Sequence, residues 1–336
     1  MTGITSQDGA YLARFLLKKG YRVFGTFRKL SSPNNFWRLH YTGVFDRVNL
    51  IPVEMTDVES LSHAVRNSDP HEVYHLAAQS YVSVSFDQPL YTYDTTGLGV
   101  IRILDEMRKF NPKIKFYHAS SSEMYGIEKS KIKNEKTSFH PVSPYAIARV
   151  LGYWTVNMYR NRYDMYATNG ILFNHESPIR GVEFVTRKIS NGVAKISLGL
   201  EKTLKLGNLS AKRDWGYAPE YVEGMWKMLQ QKKSDDYILA TNRVHSIKDF
   251  VNEACKVAGI SISKIESSKE NFRPFDVQYM RGDYTKARKK IGWKPKTSLK
   301  NIVKIMVEED ISRWNRWLKG EQFPWDVTPD RRSVKI

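Results

Sequence analysis

The chain has 336 residues, 41% hydrophobic and 26% charged, a composition that excludes intrinsic disorder and a fibrous repeat. Its 53 Lys and Arg residues outweigh 35 Asp and Glu residues, and the formal net charge of +18 attracts anions of any kind. The single cysteine, Cys255, excludes a disulfide framework, and no apolar run reaches the roughly 18 residues that would span a bilayer.

Helical and strand-like patterns alternate through the first half of the chain. Apolar residues repeat with helical spacing over residues 7–19, 58–67 and 92–109. Short apolar runs predict strands at residues 21–27, 48–52, 72–78 and 114–120. This alternation predicts an α/β fold with a doubly wound parallel sheet, in which ligands bind along the edge formed by the carboxyl ends of the strands.

The second half of the chain is less regular. Helical patterns lie at residues 144–162, 185–198 and 218–230, and strand patterns lie at residues 166–173 and 237–240. No linker rich in Gly, Ser or Pro separates the halves, so we expect a second lobe packed over the sheet edge. We predict a Rossmann-like dinucleotide-binding domain over residues 1–170, with return segments near 206–245. A smaller α/β substrate lobe is predicted to occupy mainly residues 171–336.

A turn containing glycine opens the first helix. Residues 2–9 read Thr-Gly-Ile-Thr-Ser-Gln-Asp-Gly, which would match the phosphate-binding pattern G-x-x-G-x-x-G if glycine replaced Ser6. The Cβ of Ser6 crowds a close phosphate, although its hydroxyl is able to donate a hydrogen bond. The chain also begins where the first, central strand of such a fold should be ending. Either that strand is missing or the start codon is misassigned, and without the strand the sheet would be weaker.

A pair of cations follows the strand predicted at residues 21–27, about 25 positions after Gly3. Arg28 and Lys29 stand where an acidic residue would bind the ribose hydroxyls of NAD. Two adjacent cations there favour the 2′-phosphate of NADP instead, and the alternative is that both are solvated surface residues.

Polar residues with catalytic potential follow a buried strand and open a helix. Ser120, Ser121, Ser122 and Glu123 come directly after the fourth predicted strand, where a serine cluster is either a helix cap or part of a site. Tyr145 and Arg149 are four residues apart, so they share one face of the predicted helix. A tyrosine ionises near pH 10 and acts as a base at neutral pH only where a cation stabilises its phenolate.

Together these residues resemble the extended short-chain dehydrogenase/reductase family and, within it, the GDP-mannose 4,6-dehydratases. The resemblance runs from residue 2 to about residue 307. It rests on the segments TGITSQDG (2–9), HLAAQSYVSVSF (75–86), ASSSEMYG (119–126), SPYAIAR (143–149), NGILFNHESP (169–178), FVTRKI (184–189), LGNLSAKRDWGYAPEYVEGMW (206–226), FRPFDV (272–277) and KKIGWKP (289–295). The stretches NHESP, FVTRKI and RDWG are specific to the subfamily.

The resemblance implies an internal redox reaction on a GDP-linked sugar. Tyr145 would take the proton of the sugar 4-hydroxyl while NADP accepts the C4 hydride, and Ser121 would hydrogen-bond the 4-oxygen. Glu123 would remove the C5 proton and assist the loss of water from C6. Arg149, which stands where the family has lysine, would stabilise the Tyr145 phenolate, and we expect reduced but real activity.

The resemblance also assigns binding residues. Those implied for the cofactor are Gly3, Ser6, Gln7, Asp8, Gly9, Arg28, Lys29, Glu54, Met55, Leu76, Ala77, Ala78, Tyr145, Arg149, Leu172, Asn174, His175 and Arg180. Those implied for the substrate are Ser80, Ser121, Asn174, Lys188, Gly207, Arg213, Arg273 and Asp276. Many family members have glutamate in place of Asp276 and aspartate in place of Glu54. His175 and Glu176 are two adjacent potential metal ligands without a third, so no metal site is predicted.

Three alternatives to GDP-mannose dehydration stay open. They are the same reaction on a GDP-manno-heptose, a nucleotide-sugar reductase or epimerase, and a catalytically impaired dinucleotide-binding protein. The basic stretch from Lys286 to Lys304 is interpreted as a solvated face, because no zinc finger, RNP motif or basic zipper accompanies it. We therefore expect no nucleic-acid or membrane partner, a cytoplasmic location without a signal peptide, and a homodimer or homotetramer.

Overall fold

A computed structural model describes residues 1–29, 36–268 and 277–321. The helices are α1 (Gln7–Lys18), α2 (Trp37–Tyr41), α3 (Val58–Ser68), α4 (Val82–Asp87), α5 (Pro89–Thr92), α6 (Gly99–Phe110), α7 (Pro144–Tyr163), α8 (Val185–Ser197), α9 (Ala218–Leu229), α10 (Ile247–Ala258), α11 (Thr285–Ile291) and α12 (Leu299–Leu318). Within these described ranges, none of the helices combines the length and the apolar character needed to cross a bilayer.

The strands are β1 (Phe24–Phe27), β2 (Asn49–Pro52), β3 (Glu72–His75), β4 (Lys115–Ser121), β5 (Ala167–Leu172), β6 (Asn174–Glu176), β7 (Leu204–Leu206), β8 (Lys212–Arg213), β9 (Trp215–Tyr217), β10 (Tyr237–Leu239), β11 (His245–Ser246) and β12 (Ile265–Ser267). Six of the strands, β1 to β5 and β10, lie close to predicted positions, and the others were not predicted. The prediction that the third strand continues to residue 78 was wrong. It ends at His75 because the next two backbone N–H groups, of Leu76 and Ala77, turn to the Thr2 hydroxyl at 3.1 Å.

Parallel strands with helices on both faces form the first core, which confirms the doubly wound α/β fold. β3, β4, β5 and β10 form one parallel sheet in the order β10-β5-β4-β3, and β1 pairs with β2. The side chains of successive strand residues point to opposite faces of the sheet and pack there with different helices. Tyr74 and Tyr117 pack with α1 and α9, whereas Val73 and Phe116 pack with α3, α6 and α7.

The position between β1 and β3 belongs to the start of the chain. Thr2 bridges His75 in parallel, and the backbone N–H of Ile4 donates to the carbonyl of Thr26 at 3.1 Å. Residues 1–4 therefore pair with both β1 and β3.

A second core lies beyond the sheet and is sealed by a buried ion network. α8, α10 and α12 pack together around Val193, Phe250 and Met306. Asp310 of α12 is fully buried, and it accepts hydrogen bonds from Arg187 at 2.7 Å and from Arg313 at 2.6 Å. Arg187 also donates to the carbonyl of Pro178 at 2.6 Å, so the network ties α12 to the loop after β6.

We expect Asp310→Asn to destabilise the protein by about 3–5 kcal/mol, because it removes the buried carboxylate that the guanidinium groups of Arg187 and Arg313 share. The measurement is the free energy of unfolding from urea titration. Asp105→Asn is the matched control, since Asp105 pairs with Arg108 and Lys109 at the surface and should contribute less than about 1 kcal/mol. Equal losses for the two variants would contradict this account of the network.

Candidate active site

Two adjoining cavities lie at the carboxyl ends of the parallel strands. The smaller, of about 250 Å³, reaches from the first turn of α1 to the amino end of α7. The larger, of about 670 Å³, extends toward α8 and the loop before β8. Residues that line both cavities are Ser80, Ser121, Glu123, Tyr145, Asn174, Arg180, Glu183 and Phe184. A ligand that fills both cavities therefore meets the residues predicted to be catalytic at their junction.

Ser121 and Glu123 reach this junction because β4 ends there. Ser121 is the last residue of β4, and its hydroxyl accepts a hydrogen bond from the backbone N–H of Glu123 at 3.2 Å. That bond uses the serine oxygen as an acceptor and leaves its hydrogen available for donation to a ligand oxygen. The preceding Ser120 has a different role, since its hydroxyl donates to the buried Asn169 side chain at 3.3 Å.

The phenol and the guanidinium come together on the first turns of α7. Ser143 caps the helix by accepting from the N–H of Ala146 at 3.1 Å, which places Tyr145 in the first turn. Nε of Arg149 donates to the Tyr145 hydroxyl at 3.0 Å, and Nη1 donates to the carbonyl of Ala119 at 2.6 Å. Both side chains are buried, so the cation contacts the phenol oxygen in a site with little water.

The glycine-containing turn packs closely against its neighbours. Gly3 has a φ of +68°, and a Cβ there would lie 2.9 Å from the backbone nitrogen of Ala77. A Cβ on Gly9 would lie 2.5 Å from the carbonyl oxygen of Gly3. Ser6 has a φ of −74° and caps α1 by accepting from the N–H of Gly9 at 3.0 Å, so its backbone does not require glycine. Gly3 and Gly9 thus shape the turn, while Ser6 lines the smaller cavity.

An ion pair joins the first turn of α1 to β6. Nε2 of His175 lies 2.8 Å from a carboxylate oxygen of Asp8, and Nδ1 lies 2.7 Å from the carbonyl oxygen of Phe173. Burial raises the pKa of Asp8, but the charge and hydrogen bond of His175, together with the charge of Arg180 and the hydrogen bond from Gln7, lower this pKa overall. Burial likewise lowers the pKa of His175, and the carboxylate of Asp8 raises it overall. Across the described ranges, no three His, Cys, Asp or Glu side chains converge as metal ligands.

Several predicted cofactor residues lie beside the cavities and do not line them. Arg28, Lys29, Glu54, Met55, Ala77 and Ala78 follow the carboxyl ends of β1, β2 and β3. The three strands end at the same edge, so these residues continue the line of the smaller cavity along that edge. The Arg28 guanidinium donates a hydrogen bond to the Tyr91 hydroxyl, and Lys29 is exposed.

The larger cavity holds most of the predicted substrate residues. Lys188, Gly207 and Arg213 line it together with Ser80 and Asn174. Leu76 and Leu172 line the smaller cavity, with Gln7 and Asp8. Arg273 and Asp276 lie outside the described residues.

Sequence reasoning missed several residues of the two cavities. Arg38 lines the smaller one and donates to the carbonyls of Ile179 and Thr5, and burial lowers its pKa to about 10. Glu183 and Phe184 line both cavities. Arg38 stands in no recognised motif, and only folding brings it to a loop 141 residues away. The FVTRKI segment begins at Phe184 and carried a signal for that residue, while Glu183 directly precedes it.

The chain is similar to proteins of one family over most of its length. A family model described as GDP-mannose 4,6 dehydratase matches residues 1–306. GDP-mannose 4,6 dehydratase 2 of Caenorhabditis elegans is 44% identical over 93% of this chain and 88% of its own. GDP-mannose 4,6 dehydratase 1 of Arabidopsis thaliana is 45% identical over 93% and 89%. The crystal structure of DesIV, a dTDP-glucose 4,6-dehydratase from Streptomyces venezuelae, superposes with a TM-score of 0.82 at 19% identity, covering 94% of this chain and 97% of that one.

Proposed function

Because the chain belongs to the GDP-mannose 4,6-dehydratase family, we propose that it converts GDP-mannose into GDP-4-keto-6-deoxy-mannose and water with NADP as cofactor. One observation carries the proposal: the Glu123 carboxylate and the Tyr145 phenol face the same two adjoining cavities. An acid–base pair that shares one space is able to act on neighbouring carbons of a single sugar ring. This arrangement is what an oxidation followed by an elimination requires.

The residues of the smaller cavity support the pyrophosphate and nicotinamide end of a dinucleotide as the ligand there. Ser6 and Gln7 bring the amino end of α1 to it, and this end of a helix favours a pyrophosphate. Arg38 and Arg180 add two cations to the same cavity. We propose that Arg28 and Lys29, at the carboxyl end of β1, hold the 2′-phosphate that distinguishes NADP from NAD.

When bound, the nicotinamide supplies the acceptor for the C4 hydride and returns that hydride to C6. Tyr145 takes the proton of the 4-hydroxyl, helped by the hydrogen bond from Arg149, while Ser121 donates a hydrogen bond to the 4-oxygen. Glu123 then removes the C5 proton, which the 4-ketone has acidified, and gives it to the departing C6 hydroxyl as water. The proton that Tyr145 took replaces the one lost from C5, so protons and hydride balance over the cycle.

The cations of the larger cavity suit a nucleoside diphosphate. Lys188 and Arg213 line it opposite the catalytic junction, and Arg180 lines both cavities. A guanidinium is able to hold phosphate oxygens with two parallel hydrogen bonds. We propose that Lys188 and Arg213 bind the GDP moiety and leave the sugar over Glu123 and Tyr145.

The test is to incubate the protein with GDP-mannose deuterated at C4, without added reductant. We expect a 4-keto-6-deoxy product that carries the deuterium at C6. A product that forms only with stoichiometric NADPH would identify a reductase, and an epimer that keeps its C6 hydroxyl would identify an epimerase. Either result would contradict the proposal.

Mass spectrometry of the nucleotide released from the denatured protein should find NADP, and recovery of NAD would overturn the assignment of Arg28 and Lys29.

Arg149→Lys should raise turnover by about tenfold, the change that ~1.4 kcal/mol of barrier produces. The Arg149 guanidinium donates one of its N–H groups to the carbonyl of Ala119, and it cannot release a proton. A lysine ammonium is smaller and is able to take part in a proton relay. The readouts are kcat and its pH profile. Arg149→Met is the control, and the loss of its charge should lower kcat. Unchanged kcat and cofactor affinity in the lysine variant would refute this role.

We also propose that the protein is a homodimer. α7 exposes an apolar stripe of Ile147, Leu151, Trp154 and Met158, and Trp154 alone is 60% exposed. The four residues fall on one face of the helix, so they suit the same face of a second copy. Sedimentation should give about twice the chain mass of 39.0 kDa, and a monomer would contradict the proposal.

Cys255 is a buried free thiol, which supports a location in the reducing cytoplasm.

A further inference from the structure

A second carboxylate lies at the junction of the two active-site cavities, and the proposed mechanism gives it no role. Three charged residues line both cavities: Glu123 and Glu183 are acidic, and Arg180 is a cation. Glu123 is the proposed general base, which leaves Glu183 to be explained. Because Glu183 shares the junction with the residues that act on the sugar, its own role is sought toward the sugar.

The loop before α8 holds the Glu183 side chain in place. The backbone N–H of Phe184 donates to the carbonyl of Gly181 at 3.1 Å, which closes a turn around Glu183. A Cβ on Gly181 would overlap both carboxylate oxygens of Glu183, so the side chain folds back over the turn only because glycine stands there. Arg187 fixes the start of this turn by donating to the carbonyl of Arg180 at 3.0 Å. The carboxylate therefore has a defined place at the junction.

The Glu183 carboxylate keeps its capacity to accept hydrogen bonds. Among the residues that the structure describes, none donates a hydrogen bond to it. Burial lowers the pKa of Arg38, and the charge of Glu183 acts on that pKa in the opposite direction. The Arg38 guanidinium nevertheless donates to the carbonyls of Ile179 and Thr5 and not to the carboxylate. An ionised carboxylate is an acceptor only, with two oxygens, and it suits neighbouring hydroxyl groups such as those of a hexose.

The larger cavity has charges of opposite sign at its two ends. Val182 before Glu183 and Val185 after it line only the larger cavity, so this stretch of the loop belongs to the side of the substrate. Lys188 and Arg213, the cations proposed to bind GDP, line the same cavity without lining the smaller one. The junction itself carries two carboxylates and one guanidinium. These charges favour a ligand with an anionic diphosphate at one end and a neutral sugar at the other.

We propose that Glu183 determines specificity for a neutral sugar: its carboxylate accepts hydrogen bonds from hydroxyl groups of the hexose and repels a sugar that carries a carboxylate at C6. The inference rests on the proposed function, because it takes the sugar of GDP-mannose to lie at the junction. Like charges that face each other in a site disfavour binding, and this is how a site rejects an acidic ligand of nearly the same shape. Dehydration requires a hydroxyl at C6, so an acidic sugar would occupy the site without giving product, and Glu183 keeps such a ligand out.

The test is calorimetric titration of the protein, saturated with NADP, with the 4-deoxy forms of GDP-mannose and GDP-mannuronate. These two ligands differ only at C6, and both lack the hydroxyl that the reaction oxidises, so they bind without turnover. The wild-type protein should prefer the neutral ligand by about 100-fold, since two carboxylates face the sugar. Glu183→Gln removes one charge and keeps the size of the side chain, so this preference should fall to about tenfold.

Two further variants isolate the charge of Glu183. Glu183→Asp keeps a carboxylate and should keep most of the preference, and Glu201→Gln, which changes a residue outside both cavities, should leave it unchanged. An equal preference in Glu183→Gln and the wild type, or an equal loss in Glu183→Asp and Glu183→Gln, would overturn the inference even if the protein dehydrates GDP-mannose. The expected ratios without any 4-keto-6-deoxy product would support the inference and contradict only the proposed function. Binding of neither ligand would overturn both.

Discussion

Glu123→Gln is expected to abolish formation of the 4-keto-6-deoxy product, with turnover lower by about 10²–10⁴-fold. Glutamine keeps the size and polarity of the side chain but cannot accept the C5 proton. Oxidation at C4 depends on Tyr145 and should still occur, so mixing the variant with GDP-mannose should build up the absorbance of reduced nicotinamide. Product is measured by mass spectrometry and GDP-mannose affinity by calorimetry.

The control for this variant is Glu201→Gln. Glu201 is a partly exposed carboxylate that pairs with Lys195 at 2.8 Å and lines neither cavity. It should leave turnover and affinity unchanged. If Glu123→Gln dehydrates GDP-mannose at the wild-type rate, the general base is another group, and the mechanism proposed here is wrong.

Tyr145→Phe should lower turnover by about 10³-fold and stop the reaction one step earlier than Glu123→Gln. Without the phenol, the proton of the 4-hydroxyl has no acceptor, so reduced nicotinamide should not accumulate. The two variants are therefore distinguished by a single stopped-flow absorbance trace. A nicotinamide signal as large in Tyr145→Phe as in Glu123→Gln would assign the 4-hydroxyl proton to a different base.

Folding of the Tyr145→Phe variant needs its own control, because the substitution takes one acceptor away from the buried Arg149. We expect a loss of about 1–3 kcal/mol in the free energy of unfolding. Tyr163→Phe changes an exposed residue at the end of the same helix and should alter neither stability nor activity. A parallel loss of activity in Tyr163→Phe would mean that the assay reports the stability of α7.

Much of the fold follows from local pattern. The helical pattern over residues 144–162 predicts the start of α7, and the i,i+4 spacing of Tyr145 and Arg149 predicts that they share one face of it. Both predictions were confirmed, since they depend on one helix alone. The end of β3 was misplaced because it depends on Thr2, a residue more than 70 positions away.

The catalytic junction could be predicted because its residues lie at the ends of elements. Parallel strands place their carboxyl ends at one edge, so a polar cluster after β4 and one at the start of α7 must come close. The other residues that line the cavities around that junction could not be predicted. Arg38 lies on α2 and Glu183 on the loop before α8, and no periodic pattern records that packing brings these two segments together.

The sequence by itself determined the alternation of strands and helices in the parallel sheet and the candidate residues for acid–base chemistry. All of these depend on neighbours within a few positions, where backbone geometry repeats. Only the tertiary structure decided that Asp8 pairs with His175 and that Arg38 reaches the site. Contacts between distant residues arise when packed layers exclude water, and that depends on the whole chain at once.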